Sequence, residues 1–315
     1  MPANALAAYK SYQQAKEAVM SEESQNRLRN IEISHAIEKS EQEKEIFRLR
    51  HVELKAAYDI IEEKSKQITS SINYARYIQR AILPEPSDIK GLAKNCFVVY
   101  FPKDIISGDF YWFEEINGQL VLVAADCTGH GVPGALMSML GISLLNEIVN
   151  LRNVTDAGKI LDILRGKIIR SLHQTNNEKN KDGMDISICI LDRKKHKLQY
   201  AGAFNSLYLI SNSELKEYKA DRIPIGISQN PADKFTTNHI EVKPGDMLYM
   251  ISDGYPDQFG GPVGKKFRYK ALTEMFLEVH TQPLKKQKNI IEKCFLDWKG
   301  ENEQVDDVLV LGYRI

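Results

Sequence analysis

Residues 3–83 contain neither glycine nor proline, whereas all 19 glycines of the chain lie at or after Gly91. Removing both helix breakers over that distance predicts long helix. Within it, apolar side chains recur every seven residues at Ile33, Phe47, Leu54, Ile61, Ile68, Ala75 and Ile82, with Ser40 out of line. The complementary position is mixed: Ile37, Tyr58 and Ile72 share it with Lys44, His51, Ser65 and Gln79. So leaky a seam predicts a signalling coiled coil, a parallel homodimer that relays a signal from upstream, in preference to a permanent rod. The plainer alternative is a solvated helix packed on its own globular domain. Same-helix pairs such as Glu23/Arg27 and Glu62/Lys66 add only a few tenths of a kcal/mol each.

Past Pro84-Glu85-Pro86 the pattern changes to short β-rich runs: 97–101, 110–116, 119–125, 186–191, 198–201, 207–210, 247–252 and 308–313. Asn117-Gly118 between the second and third is a hairpin signal. Residues 133–151, 155–174 and 269–298, the last broken near Pro283, have helical character. Strands follow strands and helices follow helices, so a repeating βαβ unit is excluded and a layered α+β domain is expected. The predicted organisation is a helical, dimerising regulatory segment over residues 1–83 and a globular domain over 84–315.

Composition narrows the class. The 315 residues carry 42 Lys plus Arg and 42 Asp plus Glu, a formal net charge of zero. That balance removes the sequence-wide argument for nucleic acid or another polyanion. Four widely spaced cysteines without a CxxC pair fit a reducing compartment rather than a disulfide framework. The first thirty residues mix lysines and glutamates among the apolar positions, unlike a signal peptide. No apolar run approaches the roughly 20 residues of a membrane span. A cytoplasmic protein is expected. The abrupt start of a long helix at Met1-Pro2-Ala3 leads us to expect a sensor module upstream or on another chain.

Aspartates recur where strands stop. Asp109 begins one hairpin strand, and Asp126 closes its partner ahead of Cys127-Thr128-Gly129-His130-Gly131. Asp253 closes the 247–252 run, and Asp306-Asp307 precede the last strand. An Asp beside Gly is commonly a turn residue, since its side chain caps the turn backbone. Repetition of this context at four places instead predicts convergence on one rim of a sheet sandwich. Carboxylates without a companion His/Cys set suit Mg²⁺ or Mn²⁺ rather than Zn²⁺.

The segments Ser107-Gly-Asp-Phe-Tyr-Trp112, Ala125-Asp-Cys-Thr-Gly-His-Gly-Val-Pro-Gly-Ala135, Asp246-Met-Leu-Tyr-Met-Ile-Ser-Asp-Gly254 and Asp306-Asp-Val-Leu-Val310 occur in the order expected of one family. Tyr200–Asn205 and Ile223–Ile227 fall in place more weakly. Over residues 93–315 the chain resembles the metal-dependent serine/threonine phosphatases of type 2C, in the bacterial branch named for stage II sporulation protein E. The resemblance implies an α-β-β-α sandwich of two antiparallel sheets flanked by helices, with two Mn²⁺ or Mg²⁺ ions at one end. Carried over by position, Asp126 would bridge the ions. Asp253 and Asp306 would complete one shell, and Asp109 with the Cys127 carbonyl would serve the other. Asp109, Asp126, Asp253 and Asp306 would thus form the catalytic set. The implied activity is hydrolysis of phosphoserine or phosphothreonine on a regulatory protein, such as an anti-sigma-factor antagonist, controlled by the N-terminal helix.

Some positions depart from that pattern. Eukaryotic members hold the substrate phosphate with an arginine that has no counterpart here; Lys103 is a candidate stand-in, and equally readable as a solvated loop lysine. Asp185 is a candidate for a third metal position or a cap on the strand it opens. His130 invites a general-acid role, but an ordering hydrogen bond in its turn is the expectation. Pro256 and Phe204 stand in motif flanks where other residues are expected.

Rival chemistries fail on spacing. Gly129–Gly134 satisfies GxGxxG, yet a second helix follows where a dinucleotide fold needs a parallel strand. Gly260–Lys265 is one residue short of a phosphate loop and lacks the Ser/Thr after lysine. The sixth positions after the cysteines are Pro102, Pro133, Lys195 and Gly300, so no CxxxxxR signature exists. The serious alternative is a phosphatase fold used as a non-catalytic signalling scaffold.

Overall fold

The structure, a computed structural model, describes residues 2–89, 91–175, 181–228 and 232–315. Helix α1 runs unbroken over Pro2–Ile82, as the absence of glycine and proline dictates. Two compact units are present, Met1–Thr69 and Ser70–Ile315, so the last turns of α1 belong to the second. In the first unit the heptad residues Ile33, Phe47, Leu54, Ile61 and Ile68 are all exposed, Phe47 to 73%.

In the second unit, short α2 (Leu92–Asn95) leads into β1 (Cys96–Phe101), then β2 (Phe110–Ile116) and β3 (Gln119–Cys127). Helix α3 (Gly131–Asn146), extended by a π-helical turn to Leu151, and α4 (Ala157–Ser171) follow. Strands β4 (Met184–Asp192), β5 (Lys197–Ala203), β6 (Leu207–Ser211), β7 (Glu214–Tyr218), β8 (Asn238–Glu241) and β9 (Met247–Ile251) come next. One-turn α5 (Gly254–Asp257) and a small hairpin of β10 (Phe259–Gly260) and β11 (Lys265–Lys266) precede α6 (Tyr269–Val279), α7 (Leu284–Lys299) and β12 (Val308–Arg314).

Two five-stranded sheets form, ordered β1-β12-β9-β6-β7 and β2-β3-β4-β5-β8, with every ladder antiparallel. Alternate residues of each central strand reach opposite layers. From β3, Leu120, Leu122 and Ala124 meet Leu248, Met250, Leu309 and Leu311 between the sheets. Val121, Val123 and Ala125 of β3 instead pack on Ile142, Leu145, Ile160 and Leu164 of α3 and α4. On the far side, Val308 and Val310 of β12 pack on Leu272, Phe276, Ile291 and Phe295 of α6 and α7. Burial on both faces is why these strands read as continuous apolar runs without polar alternation. The result is the α-β-β-α sandwich expected from the resemblance.

The β2–β3 turn has φ of 52° at Asn117 and 77° at Gly118, the left-handed pair that a two-residue hairpin requires. The helix break near Pro283 falls between α6 and α7. Strands β7 and β8 had no clear sequence signal, because β7 is a polar edge (Glu214, Lys216, Glu217) and β8 is four residues long. Gly131–Leu151 is the one helix among the described residues long and apolar enough to cross a bilayer. Its Ala135, Met137, Ile142 and Leu145 lie inside the domain core.

Phe276 is fully buried and stacks on Tyr249 with ring centroids 4.0 Å apart. Phe276→Ala is expected to remove about 3–5 kcal/mol of stability, measured by chemical denaturation of the full chain.

Candidate functional site

The β2–β3 hairpin brings two carboxylates to one edge of its sheet. Phe110 pairs with Ala125, so Asp109 and Asp126 emerge side by side at the open end. Asp126 in turn pairs in register with Asp185 on β4. In the other sheet Val310 pairs with Ile251, and Ser252 donates its backbone N–H to the Leu309 carbonyl at 3.0 Å. That register places Asp253, just past β9, beside Asp306 and Asp307, just before β12.

The two edges meet. The Asp253 carboxyl is pushed up by burial first, then by the charges of Asp306 and Asp257, and Asp126 stands near enough to act on it. Burial first, then the charges of Asp253, Asp306, Asp185 and Asp307, pushes the Asp126 carboxyl up. Burial and then Asp126 hold Asp109 well above the usual carboxylate range. Asp185 is raised to about 6 by burial and by Asp253. All four of the expected catalytic aspartates and Asp185 therefore lie within one electrostatic cluster.

Asp307 was not singled out by sequence, although its doublet with Asp306 was noted; it is the clasp of the site. It is buried, and its two oxygens accept from the Lys103 and Gly108 backbone N–H groups, each at 2.7 Å. The loop before β2 is thereby tied to the start of β12. Close glycine contacts finish the wall. A Cβ on Gly134 would lie 2.2 Å from the Gly129 carbonyl and 2.8 Å from Gly108 Cα, and one on Gly108 would lie 3.3 Å from the Cys127 carbonyl. No larger residue allows the first turn of α3, the turn after β3 and the Ser107–Asp109 loop to approach so closely.

A second tie comes from α1. Gln79, only 4% exposed, donates through Nε2 to the Ser107 carbonyl at 2.7 Å and to Ser138 Oγ at 3.0 Å, while its Oε1 accepts from the Ser107 N–H at 3.2 Å. The polar residue that interrupts the heptad seam is thus spent on the loop that presents Asp109. Leu83 also enters the core.

Lys103 contributes its backbone to Asp307, and its side chain forms no ion pair among the described residues. His130 Nδ1 stands 2.6 Å from Asp104 Oδ2, both side chains about half exposed, so its ordering bond runs to the loop before β2 and not within its own turn. The Cys127 thiol is buried and held far above its usual range, foremost by burial and then by Asp126, which removes it as a nucleophile.

Among the described residues no three His, Cys, Asp or Glu side chains stand as a finished coordination shell. The donor chemistry nevertheless fits a hard divalent cation. The converging side chains offer only carboxylate oxygens, their mutual repulsion calls for compensating positive charge, and buried Asp109 Oδ2 has no hydrogen-bond partner.

Residues 116–315 match the family model described as stage II sporulation protein E. Phosphoserine phosphatase RsbU of Bacillus subtilis (strain 168) is 25% identical over 195 residues, 60% of this chain and 54% of that protein. The chain thus spans about half the length of that curated relative. The SiaA-PP2C domain of Pseudomonas aeruginosa superposes with a TM-score of 0.73 at 31% identity, covering 80% of this chain and 98% of that one. The PP2C phosphatase domain of SpoIIE from Bacillus subtilis, with a fragment of its regulatory domain, shares the fold at TM-score 0.55 and 20% identity, over 70% of this chain and 63% of that one.

Raised carboxyl pKa values at Asp109, Asp126, Asp185 and Asp253 mean that these groups hold more protons in the folded protein than in the unfolded chain. The stability they contribute is therefore present at acid pH and is lost as pH rises through the folded values. In chelator, the melting temperature is expected to fall between about pH 4 and pH 8 as Asp185, at about 6, and then Asp126, at about 8, ionise. Added Mn²⁺ should restore it, and by more at pH 7 than at pH 5. A thermal melt series with and without metal reads both effects.

Proposed function

This chain belongs to the stage II sporulation protein E family, and from that premise we propose that it is a protein serine/threonine phosphatase acting on a phosphorylated regulatory protein. The observation that carries the reading is the convergence of Asp109, Asp126, Asp185, Asp253 and Asp306 from two sheets into one charge cluster. In this reading Asp109, Asp126, Asp253 and Asp306, with the Cys127 carbonyl, would hold two Mn²⁺ or Mg²⁺ ions. Asp126 is the residue that would be shared by both, and Asp185 would offer a third, weaker position. When bound, such ions supply Lewis acidity toward water and toward the phosphoryl oxygens.

The chain's own residues do the rest. Asp109, Asp126, Asp185 and Asp253, whose carboxyls burial and neighbouring charges push up, would bind such ions in their ionised form. Asp307 and Gln79 both tie down the loop that presents Asp109, through Gly108 and Ser107 respectively. Lys103, half-buried beside that clasp, is the candidate cation for the substrate phosphate. The Cys127 thiol, buried and protonated, does not serve as a covalent nucleophile. The substrate class, a phosphoserine on a partner such as an anti-sigma-factor antagonist, rests on the family and on the name of the RsbU relative. A cytoplasmic setting accords with four unpaired cysteines.

Regulation is assigned to α1. Its exposed heptad stripe is the surface for a second copy of the chain, and Gln79 is where the helix touches the Ser107–Asp109 loop. A signal from an upstream module that rotates or shifts the helix would release or seat that loop.

Three measurements test these statements. Asp126→Asn or Asp253→Asn should reduce Mn²⁺-dependent hydrolysis of para-nitrophenyl phosphate at least about a hundredfold; metal-independent turnover, or none on any phosphoprotein, would favour the scaffold alternative. Gln79→Leu strands the Ser107 amide and carbonyl, so half-saturating Mn²⁺ should rise about tenfold; an unchanged metal dependence removes the helix from control. Light scattering should give a dimer that Leu54→Lys with Ile61→Lys converts to monomer.

A further inference from the structure

Beside the carboxylate cluster lies an open cleft of about 340 Å³, within the range of ligand sites. Phe204, Asn205, Ser206, Ile251, Tyr269 and Lys270 are among the residues that line it. Two of its walls touch the cluster's own elements. Ile251 ends β9 two residues before Asp253. The Tyr269 phenol is pushed up to about 12, first by burial and then by the charges of Asp253, Asp257, Asp126 and Asp185, which places its hydroxyl in the field of the same carboxylates.

Three side chains of the cleft stand out. Phe204, unexpected in its motif, sits at φ 57° and is 47% exposed, a costly backbone for a bulky residue that leaves its ring in solvent. Its backbone is pinned there by the Phe204 N–H bond to the Asp221 carbonyl at 3.0 Å. Next to it Asn205 is nine-tenths buried, yet its Nδ2 has no hydrogen-bond partner among the described residues. Its main chain is fully engaged: the N–H donates to the Ala203 carbonyl at 2.7 Å and the carbonyl accepts from the Tyr200 hydroxyl at 2.7 Å. Across the cleft Tyr269, at the start of α6, is 46% exposed. A buried amide donor left unmatched among the described residues, in a cleft that also exposes two aromatic rings, is a poor arrangement for the free protein and a good one for a polypeptide.

We propose that this cleft is the subsite for the substrate segment flanking the phosphoserine, with Asn205 Nδ2 donating to a backbone carbonyl and Phe204 and Tyr269 enclosing an adjacent apolar side chain. The proposal rests on the phosphatase reading and deepens it. The cluster recognises the phosphoryl group that every phosphomonoester shares, whereas the cleft reads the chain that only a protein substrate has. Selectivity for phosphoprotein over small phosphate esters then resides outside the carboxylates.

The test compares two substrates of the full chain in Mn²⁺: para-nitrophenyl phosphate and a phosphoserine dodecapeptide with leucine on both sides of the phosphoserine. Asn205→Ala and Tyr269→Ala should each lower kcat/KM on the peptide at least about tenfold more than on para-nitrophenyl phosphate, with KM carrying the difference, the size expected when one buried hydrogen bond or ring contact is lost. Should Asn205→Ala fail to fold, Asn205→Asp keeps the shape, removes the donor and should show the same selective loss. Equal losses on both substrates, or none, overturn the subsite while leaving the phosphatase intact. A parent protein inactive on both substrates overturns the phosphatase reading itself, and this one with it.

Discussion

Electrostatic repulsion among buried carboxylates is the constraint around which this domain is arranged. Burial and neighbouring charge disfavour the ionised forms of Asp109, Asp126, Asp185 and Asp253 on one partly buried edge, a repulsion that a divalent cation bound there would relieve. Such a cluster costs stability in the free protein. It persists because two sheets with apolar contacts on both faces hold the strand ends in place.

Around that edge the fold supplies rigid supports. Asp307, one residue from Asp306, spends both oxygens on backbone amides of the preceding loop, so a carboxylate is used as a clasp inside a cluster of carboxylates. Two ties act on the same short loop: Asp307 grips Gly108 and Gln79 grips Ser107. One tie comes from the domain and the other from the end of α1, so the position of Asp109 answers to both. The cleft at Asn205 adds a different kind of group, neutral and aromatic, beside a site otherwise made of charge.

Much of this was legible in the sequence because local rules governed it. The glycine-free, proline-free stretch became α1, Asn117-Gly118 became a left-handed hairpin turn, and Pro283 divided the last helical segment. Strand ends marked by Asp proved to be the ends that meet. Polar, short edge strands β7 and β8 were invisible because they lack the apolar run that announces a buried strand. Gln79 registered only as a flaw in a heptad, and Asn205 not as a candidate at all, since a single amide has no periodicity to betray its partner.

The sequence by itself determined the helix, the central strands, their turns and the chemical identity of the carboxylate set, because these follow from breakers, runs and residue type within a few positions. Tertiary structure alone decided which neighbour each lone polar side chain would find: Asp307 with Gly108 across 199 residues, and Gln79 with Ser107 across 28. It also decided that Asn205 would find none among the described residues. Hydrogen bonds between distant segments depend on how layers stack and on sheet register, and neither quantity is written in any local stretch of chain.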